Sequence, residues 1–95
     1  MRDKTELVAD IDNAKQAEAI VNHPLFIASI KMLRALTIDK FENLGNDDVV
    51  QMKECNMRLN LIEELEVNLS TVIRSGDAAF RTLEDIQTFE QEMKR

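Results

Sequence analysis

The sequence predicts an all-α fold, and three observations support this class. Its 95 residues include only 2 Gly and 1 Pro, too few for the turns that an all-β domain needs every 8–12 residues or so. With 44% hydrophobic and 32% charged residues, the composition is typical of a folded chain. Apolar residues also recur at helical spacing between the few breakers. We therefore expect a single helical domain over residues 1–95.

The breakers divide the chain into four predicted helices, at residues 3–21, 24–43, 47–75 and 77–93. Asp3 or Thr5 is expected to cap the first helix. Asn22 or His23 is expected to cap the second, because Pro24 is well suited to a first helical turn. The apolar stripe of the first helix is narrow and rich in alanine, so this helix is the least strongly specified of the four.

Two glycines mark the remaining joints. Gly45 is expected to end the second helix in a left-handed conformation, with Asn46–Asp48 capping the third. Gly76 is expected to end the third helix in the same way, with Asp77 capping the fourth. The sequence SGD lacks the further glycines and the lysine of a phosphate-binding loop. We predict an antiparallel hairpin of the second and third helices, flanked by the first and fourth. A swapped dimer that buries the same stripes is the open alternative.

Charge and cysteine content exclude several functions. The net charge of −6 disfavours direct binding of nucleic acid or of an anionic membrane, because both depend on Lys and Arg. The N-terminal residues of the third helix, NDDVV, would turn two carboxylates toward phosphates. No apolar run approaches the roughly 20 residues of a membrane span, and the polar N-terminus is not a secretory signal. The single cysteine, Cys55, favours a cytoplasmic protein.

The sequence contains no recognisable catalytic or metal-binding pattern. His23, the only histidine, is interpreted as a helix cap, and Cys55 as a small buried hydrophobe on an apolar stripe. No histidine stands three residues after a glutamate, as a di-iron helical bundle requires. We therefore predict a protein that is not an enzyme, with no cofactor and no metal.

The apolar face of the second helix is too wide for a short chain to bury alone, which indicates a partner or self-association. The residues predicted for helix packing or an oligomer interface are Phe26, Ile30, Leu33, Ile62, Leu65 and Leu69. The candidate partner surface is Leu36, Ile38, Glu63, Glu66 and Phe89. Glu66 interrupts an apolar line, so it either pairs with a Lys or Arg of a neighbour or marks the edge of that line. Leu61, Leu65 and Val72 form a flanking stripe on the third helix.

The stretch NHPLFIASIKMLRALTIDKFENL is followed by a short break and by the long segment CNMRLNLIEELEVNLSTVIRSGDAAFRTLE. The pattern has three features: Asn-x-Pro-x-Phe opening a helix, an acid two-thirds of the way to a break, and a long helix that ends in Gly before a short tail. In this chain the positions are Asn22, Pro24, Phe26, Glu42 and Gly76. Over roughly residues 21–86 this pattern resembles small helical proteins encoded among tailed-phage head-assembly and packaging genes. The resemblance implies a structural or regulatory role in capsid assembly or genome packaging, in the host cytoplasm or the virion.

Three hypotheses follow for the function. The first is a non-enzymatic protein that self-associates or docks on a protein partner, in the setting of phage head assembly or packaging. The alternative is a small acidic inhibitor that binds a basic, nucleic-acid-binding surface of a target protein, for which the net charge of −6 is the motivation. A third is a DNA-binding packaging protein, which requires an oligomer that concentrates the scattered cations.

Overall fold

The computed structural model describes residues 3–94, which form three α-helices and no β-strand within that range. α1 spans Lys4–Val21, α2 spans Pro24–Glu42 and α3 spans Val49–Met93. The all-α prediction is confirmed, and α1 and α2 lie within one residue of their predicted bounds. The third and fourth predicted helices are one continuous helix, so the break predicted between residues 75 and 77 is wrong.

Side chains cap the starts of α1 and α2. The Asp3 carboxylate accepts a hydrogen bond from the Glu6 backbone N–H at 2.8 Å. His23 Nδ1 accepts one from the Leu25 backbone N–H at 3.1 Å, with Pro24 as the first residue of α2. Each cap satisfies a backbone donor that has no partner inside its helix. The sequence offered Asp3 or Thr5 as the cap of α1 and Asn22 or His23 as the cap of α2. The structure shows Asp3 and His23 in these roles.

The loop between α2 and α3 is closed by polar side chains. Asn43 Nδ2 donates to the Asp39 carbonyl at 2.8 Å. The Asp48 carboxylate accepts from the Gly45 N–H at 3.1 Å, and the Asp48 carbonyl accepts the first bond of α3 from Met52 at 2.9 Å. The predicted left-handed conformation of Gly45 is wrong, because no described glycine has a positive φ. The Asn43 amide satisfies a terminal carbonyl of α2, so the chain needs no left-handed residue there.

Gly76 lies inside α3 and is a point of close approach between two helices. A β-carbon at Gly76 would stand 2.1 Å from the Cβ of Ala14 and 3.1 Å from the carbonyl oxygen of Asp10. The distance to the Ala14 Cβ is far inside van der Waals contact, and the distance to the Asp10 oxygen is tighter than most real contacts of a β-carbon. Glycine costs up to about 1 kcal/mol in a helix interior, and the close packing of α1 offsets this cost. The predicted stop at Gly76 and the predicted cap at Asp77 are therefore both corrected.

The contacts group the chain into two compact units. The first unit holds residues 3–20 and 69–94, and the second holds Val21–Asn68. Each has a small core of its own, so α3 contributes to both. Whether one domain spans residues 1–95 stays a prediction. The buried core of the first unit is Leu7, Ala14, Ala17, Gly76 and Ala79, and that of the second is Ile30, Thr37, Cys55 and Ile62.

In each unit an ion pair connects two of the described helices. In the first unit Lys4 Nζ lies 2.7 Å from Glu90 Oε1. The hydrogen bond that Lys4 donates, and then its charge, lower the pKa of Glu90 below the ordinary value of 4.5. In the second unit Arg34 of α2 donates to Glu66 of α3. All four side chains are about half exposed, so these pairs orient the helices more than they stabilise them.

Candidate functional site

The second unit exposes most of its large apolar side chains. Among those of α2, only Ile30 is buried. Leu25, Met32 and Leu36 are each more than 60% exposed, and α3 adds Leu61 at 60%. Soluble monomers rarely expose large contiguous apolar patches unless they mark an interaction site. The wide apolar face predicted for the second helix is therefore present and largely uncovered in the described part of the chain.

Part of this surface forms a groove between α2 and α3. Its apolar lining is Leu33 and Leu36 from α2 with Leu61 and Ile62 from α3, and its volume is about 450 Å³. Thr37 also lines the groove, and its hydroxyl donates to the Leu33 carbonyl at 2.7 Å. That bond leaves the buried threonine with no unsatisfied polar atom. The groove is thus open and has mainly apolar walls, and the Thr37 hydroxyl within it already has a hydrogen-bond acceptor.

Two cations complete the lining of the groove. Lys40 comes from α2 and Arg58 from α3. Within residues 3–94, neither side chain has an ion-pair or hydrogen-bond partner. The neighbouring cation Arg34, by contrast, is engaged with Glu66. In a chain with 18 acidic residues, two unpaired cations beside an apolar groove provide a local attraction for carboxylates.

The structure divides the residues predicted for packing into three groups. Ile30 and Ile62 are buried in the second unit. Phe26 and Leu69 are half-buried. Leu33 is 52% exposed and Leu65 is 43% exposed. Of the six, Leu33 and Ile62 lie together in the groove, so the predicted packing set and the exposed surface overlap there.

The structure places the candidate partner residues in different settings. Leu36 lies in the groove, whereas Ile38, 41% exposed, does not line it. Glu63 is exposed on α3. Glu66 is bonded to Arg34 of the same chain. Phe89 is 62% exposed and belongs to the first unit.

Sequence reasoning did not select Leu61, Lys40 or Arg58 as site residues. In the sequence pattern Leu61 belongs to a flanking stripe of the third helix, and the two cations look scattered. The available signal was spacing: Leu36 and Lys40 are four residues apart, and Arg58 and Leu61 are three apart, so each pair shares one helix face. The pairing of those two faces is a tertiary property.

His23 and Cys55, the only histidine and the only cysteine in the sequence, lie where they serve the fold. His23 caps α2, and Cys55 is 1% exposed in the core of the second unit, as predicted for both. No group of three or more His, Cys, Asp or Glu side chains among residues 3–94 is arranged to hold a metal ion.

In the described range, no individual helix has the length and apolarity needed to cross a membrane. Taken together, α1 and α2 reach that length and apolarity, but the pair is bent at the break between them.

Comparison of the chain with protein-family models, with curated proteins and with solved structures gives no match.

Proposed function

We propose that this protein is a non-enzymatic interaction protein, which associates through the exposed apolar surface of its second unit. The working element is an antiparallel helical hairpin of α2 and the first part of α3. Two pairings support that arrangement: Arg34 of α2 bonds Glu66 of α3, and Lys40 shares the groove with Arg58. As residue numbers rise along α2, those of the facing residues on α3 fall.

The observation that carries the proposal is the apolar groove of about 450 Å³. Removing apolar surface from water contributes roughly 25 cal/mol per Å² before the entropic costs of association are subtracted. Leu36 and Leu61, at 61% and 60% exposure, therefore contribute little to folding and are available for association. Interfaces concentrate their energy in a few centrally placed residues, and Leu36 and Leu61 are both exposed and line the groove.

The test is the molar mass in solution by light scattering, over protein concentrations of about 1–100 μM, the range of moderate affinities. We expect the wild-type chain to exceed the monomer mass of 10.9 kDa as concentration rises. Leu36→Asp places a charge in the groove and should return the chain to monomer. Val8→Asp is the matched control, because Val8 is 46% exposed but lies in the first unit.

A wild-type chain that stays monomeric over the whole range would contradict self-association. Equal masses for the wild type, Leu36→Asp and Ile38→Asp would remove the surface claim, provided that circular dichroism shows the same helix content in all three. The tailed-phage head-assembly or packaging setting suggested by the sequence resemblance is part of the same proposal. It is tested by asking whether the protein co-sediments with assembling heads.

An acidic inhibitor of a basic, nucleic-acid-binding target is the second candidate. Its support is the net charge of −6 together with exposed carboxylates on α3 at Glu63 and Glu64. Binding of this kind depends on charge and weakens as salt shortens the Debye length from about 10 Å at 0.1 M to 3 Å at 1 M. Charge reversal by Glu63→Lys and Glu64→Lys should then weaken binding, whereas Leu36→Asp should not.

A further inference from the structure

The last turns of α3 carry an apolar pair bordered by acids. Phe89 is 62% exposed and Met93 is 73% exposed, and Asp85 and Glu92 are exposed beside them. These four residues, here called the C-terminal face, stand at helix spacings of i, i+4, i+7 and i+8, which places them on one side. Glu90 is the carboxylate that points to α1, where it meets Lys4.

The C-terminal face and the groove are complementary in chemistry. The groove offers an apolar lining with two unpaired cations, Lys40 and Arg58. The C-terminal face offers two exposed apolar side chains with two carboxylates, and neither Asp85 nor Glu92 has an ion-pair partner in the described part of the chain. An amphipathic helix that lays its apolar side into a hydrophobic groove is a common mode of protein recognition.

We propose that the groove of one copy binds the C-terminal face of a second copy. This rests on the proposed function, since it specifies how association occurs. The groove cannot pair as well with another groove, because Lys40 and Arg58 of two copies would then face like charges, which interfaces avoid. A contact between the groove of one copy and the C-terminal face of another brings opposite charges together instead. Every copy carries both surfaces, so one kind of chain is enough to form this contact.

Such an interface is heterologous, and this has a structural consequence. Each copy that binds through its groove still has a free C-terminal face, so further copies add head to tail. The products are closed rings if the rotation between copies closes, and open filaments if it does not. A symmetric dimer is the competing arrangement, and the two are distinguishable by experiment.

The decisive experiment mixes two variants, each with one half of the interface removed. Leu36→Asp damages the groove and leaves the C-terminal face, whereas Phe89→Asp damages the face and leaves the groove. Both sites are more than 60% exposed, so neither change should disturb folding. We expect each variant alone to be a monomer. Their equimolar mixture should form a heterodimer of twice the 10.9 kDa monomer mass, because one intact groove and one intact face remain.

Charge exchange tests the polar part of the contact. The double variant Lys40→Glu and Arg58→Glu should lower the association constant about tenfold or more, as should Asp85→Lys with Glu92→Lys. Combining all four changes in one chain should restore most of the association, since opposite charges again face each other. Glu63→Lys with Glu64→Lys changes the net charge by the same amount and sign as Asp85→Lys with Glu92→Lys but lies outside the groove and the C-terminal face, so it is the control for that variant.

The outcomes separate this proposal from the one on which it rests. If Phe89→Asp associates like the wild type while Leu36→Asp does not, the head-to-tail contact is overturned and the proposed function stands. A mixture of the two variants that stays monomeric, while the wild type associates, overturns it as well. A wild-type chain that is monomeric at every concentration overturns both.

Discussion

At the scale of single residues, the close approach of α1 to α3 depends on glycine and alanine at the contact. Gly76 faces Ala14, while Ala17 and Ala79 are buried in the same core. Small residues let helix backbones come close, and the interior then leaves no room for an added methyl group. The alanine-rich stripe of α1, which looks weak in the sequence, is suited to this contact.

Gly76→Ala should destabilise the protein by roughly 1–3 kcal/mol, the usual cost of overpacking a core. Helix propensity alone would predict the opposite sign, a gain of up to about 1 kcal/mol. Overpacking dominates because the new Cβ would lie 2.1 Å from that of Ala14. The measurement is the free energy of unfolding in urea.

Two further variants test the physical reason for that loss. Ser75→Ala is the control, because Ser75 is exposed on the same helix and should be neutral or slightly stabilised. Ala14→Gly should recover part of the stability lost in Gly76→Ala, since it removes the methyl group that clashes. A Gly76→Ala protein more stable than the wild type would show that the helices do not approach closely.

The Lys4–Glu90 pair predicts a pH effect of known sign. The pKa of Glu90 lies below 4.5 in the folded protein because Lys4 donates to the carboxylate. The stabilisation is therefore fully present above pH 4.5 and is lost as pH falls through the lowered pKa. Replacing Lys4 by Met should return the pKa of Glu90 toward its ordinary value, as followed by NMR titration of the carboxyl carbon.

Lys94 provides the matched control for this titration. It lowers the pKa of Glu90 only through its charge and contributes least among the causes. Lys94→Met removes the same unit of charge as Lys4→Met, yet it should move the pKa less. Equal shifts in the two variants would mean that the hydrogen bond from Lys4 is not formed in solution.

At the scale of helices, the local signals at the ends of α1 and α2 agree with the structure. Asp3 and His23 accept backbone hydrogen bonds, and Pro24 begins α2. Each of these signals acts within one helical turn, so it can be interpreted without knowledge of the fold. The glycines behave differently: one lies in a loop without a positive φ, and the other lies inside a helix.

The continuity of α3 predicts protected amides after Gly76. In a new helix starting at Asp77, the first four N–H groups would have no helical acceptor and would exchange quickly. In a continuous helix, the amides of Asp77 and Ala78 donate to the preceding turn and exchange slowly. Hydrogen exchange followed by NMR distinguishes the two cases.

The same experiment contains an internal reference. Val49 and Val50 begin α3, so their amides should exchange quickly in either case. Exchange at Asp77 as fast as at Val49 would restore the predicted break between the third and fourth helices.

At the scale of the whole molecule, charge opposes association. Each copy carries a net charge of −6 at pH 7, and the isoelectric point is near 4.7. Repulsion between copies therefore weakens as the pH is lowered. At a fixed protein concentration, the weight-average mass should rise between about pH 7 and pH 5. Light scattering measures this mass directly.

Leu36→Asp, measured at the same pH values, distinguishes specific association from precipitation. If the groove carries the interaction, the variant should gain much less mass than the wild type at each pH. An equal rise in both chains would indicate non-specific aggregation near the isoelectric point, and an unchanged wild-type mass would contradict the expected repulsion.

The candidate site was only partly predictable from the sequence. The wide apolar face of α2 identified Leu33 and Leu36, because helical spacing is a local property. Leu61, Lys40 and Arg58 were not selected, since their importance arises from the pairing of α2 with α3. For Glu66 the sequence left open a cationic partner or a place at the edge of the apolar line, and only the structure shows it bonded to Arg34 of another helix.

By itself, the sequence determined the helical class, the bounds of α1 and α2 to within one residue, and a pair of candidate caps for each of these two helices. These depend on composition and on contacts within a single turn. The tertiary structure alone decided that α3 continues through Gly76 and that Leu36 and Leu61 line one groove. Both results depend on residues far apart in the sequence, such as Ala14 and Gly76, and only packing brings such residues together.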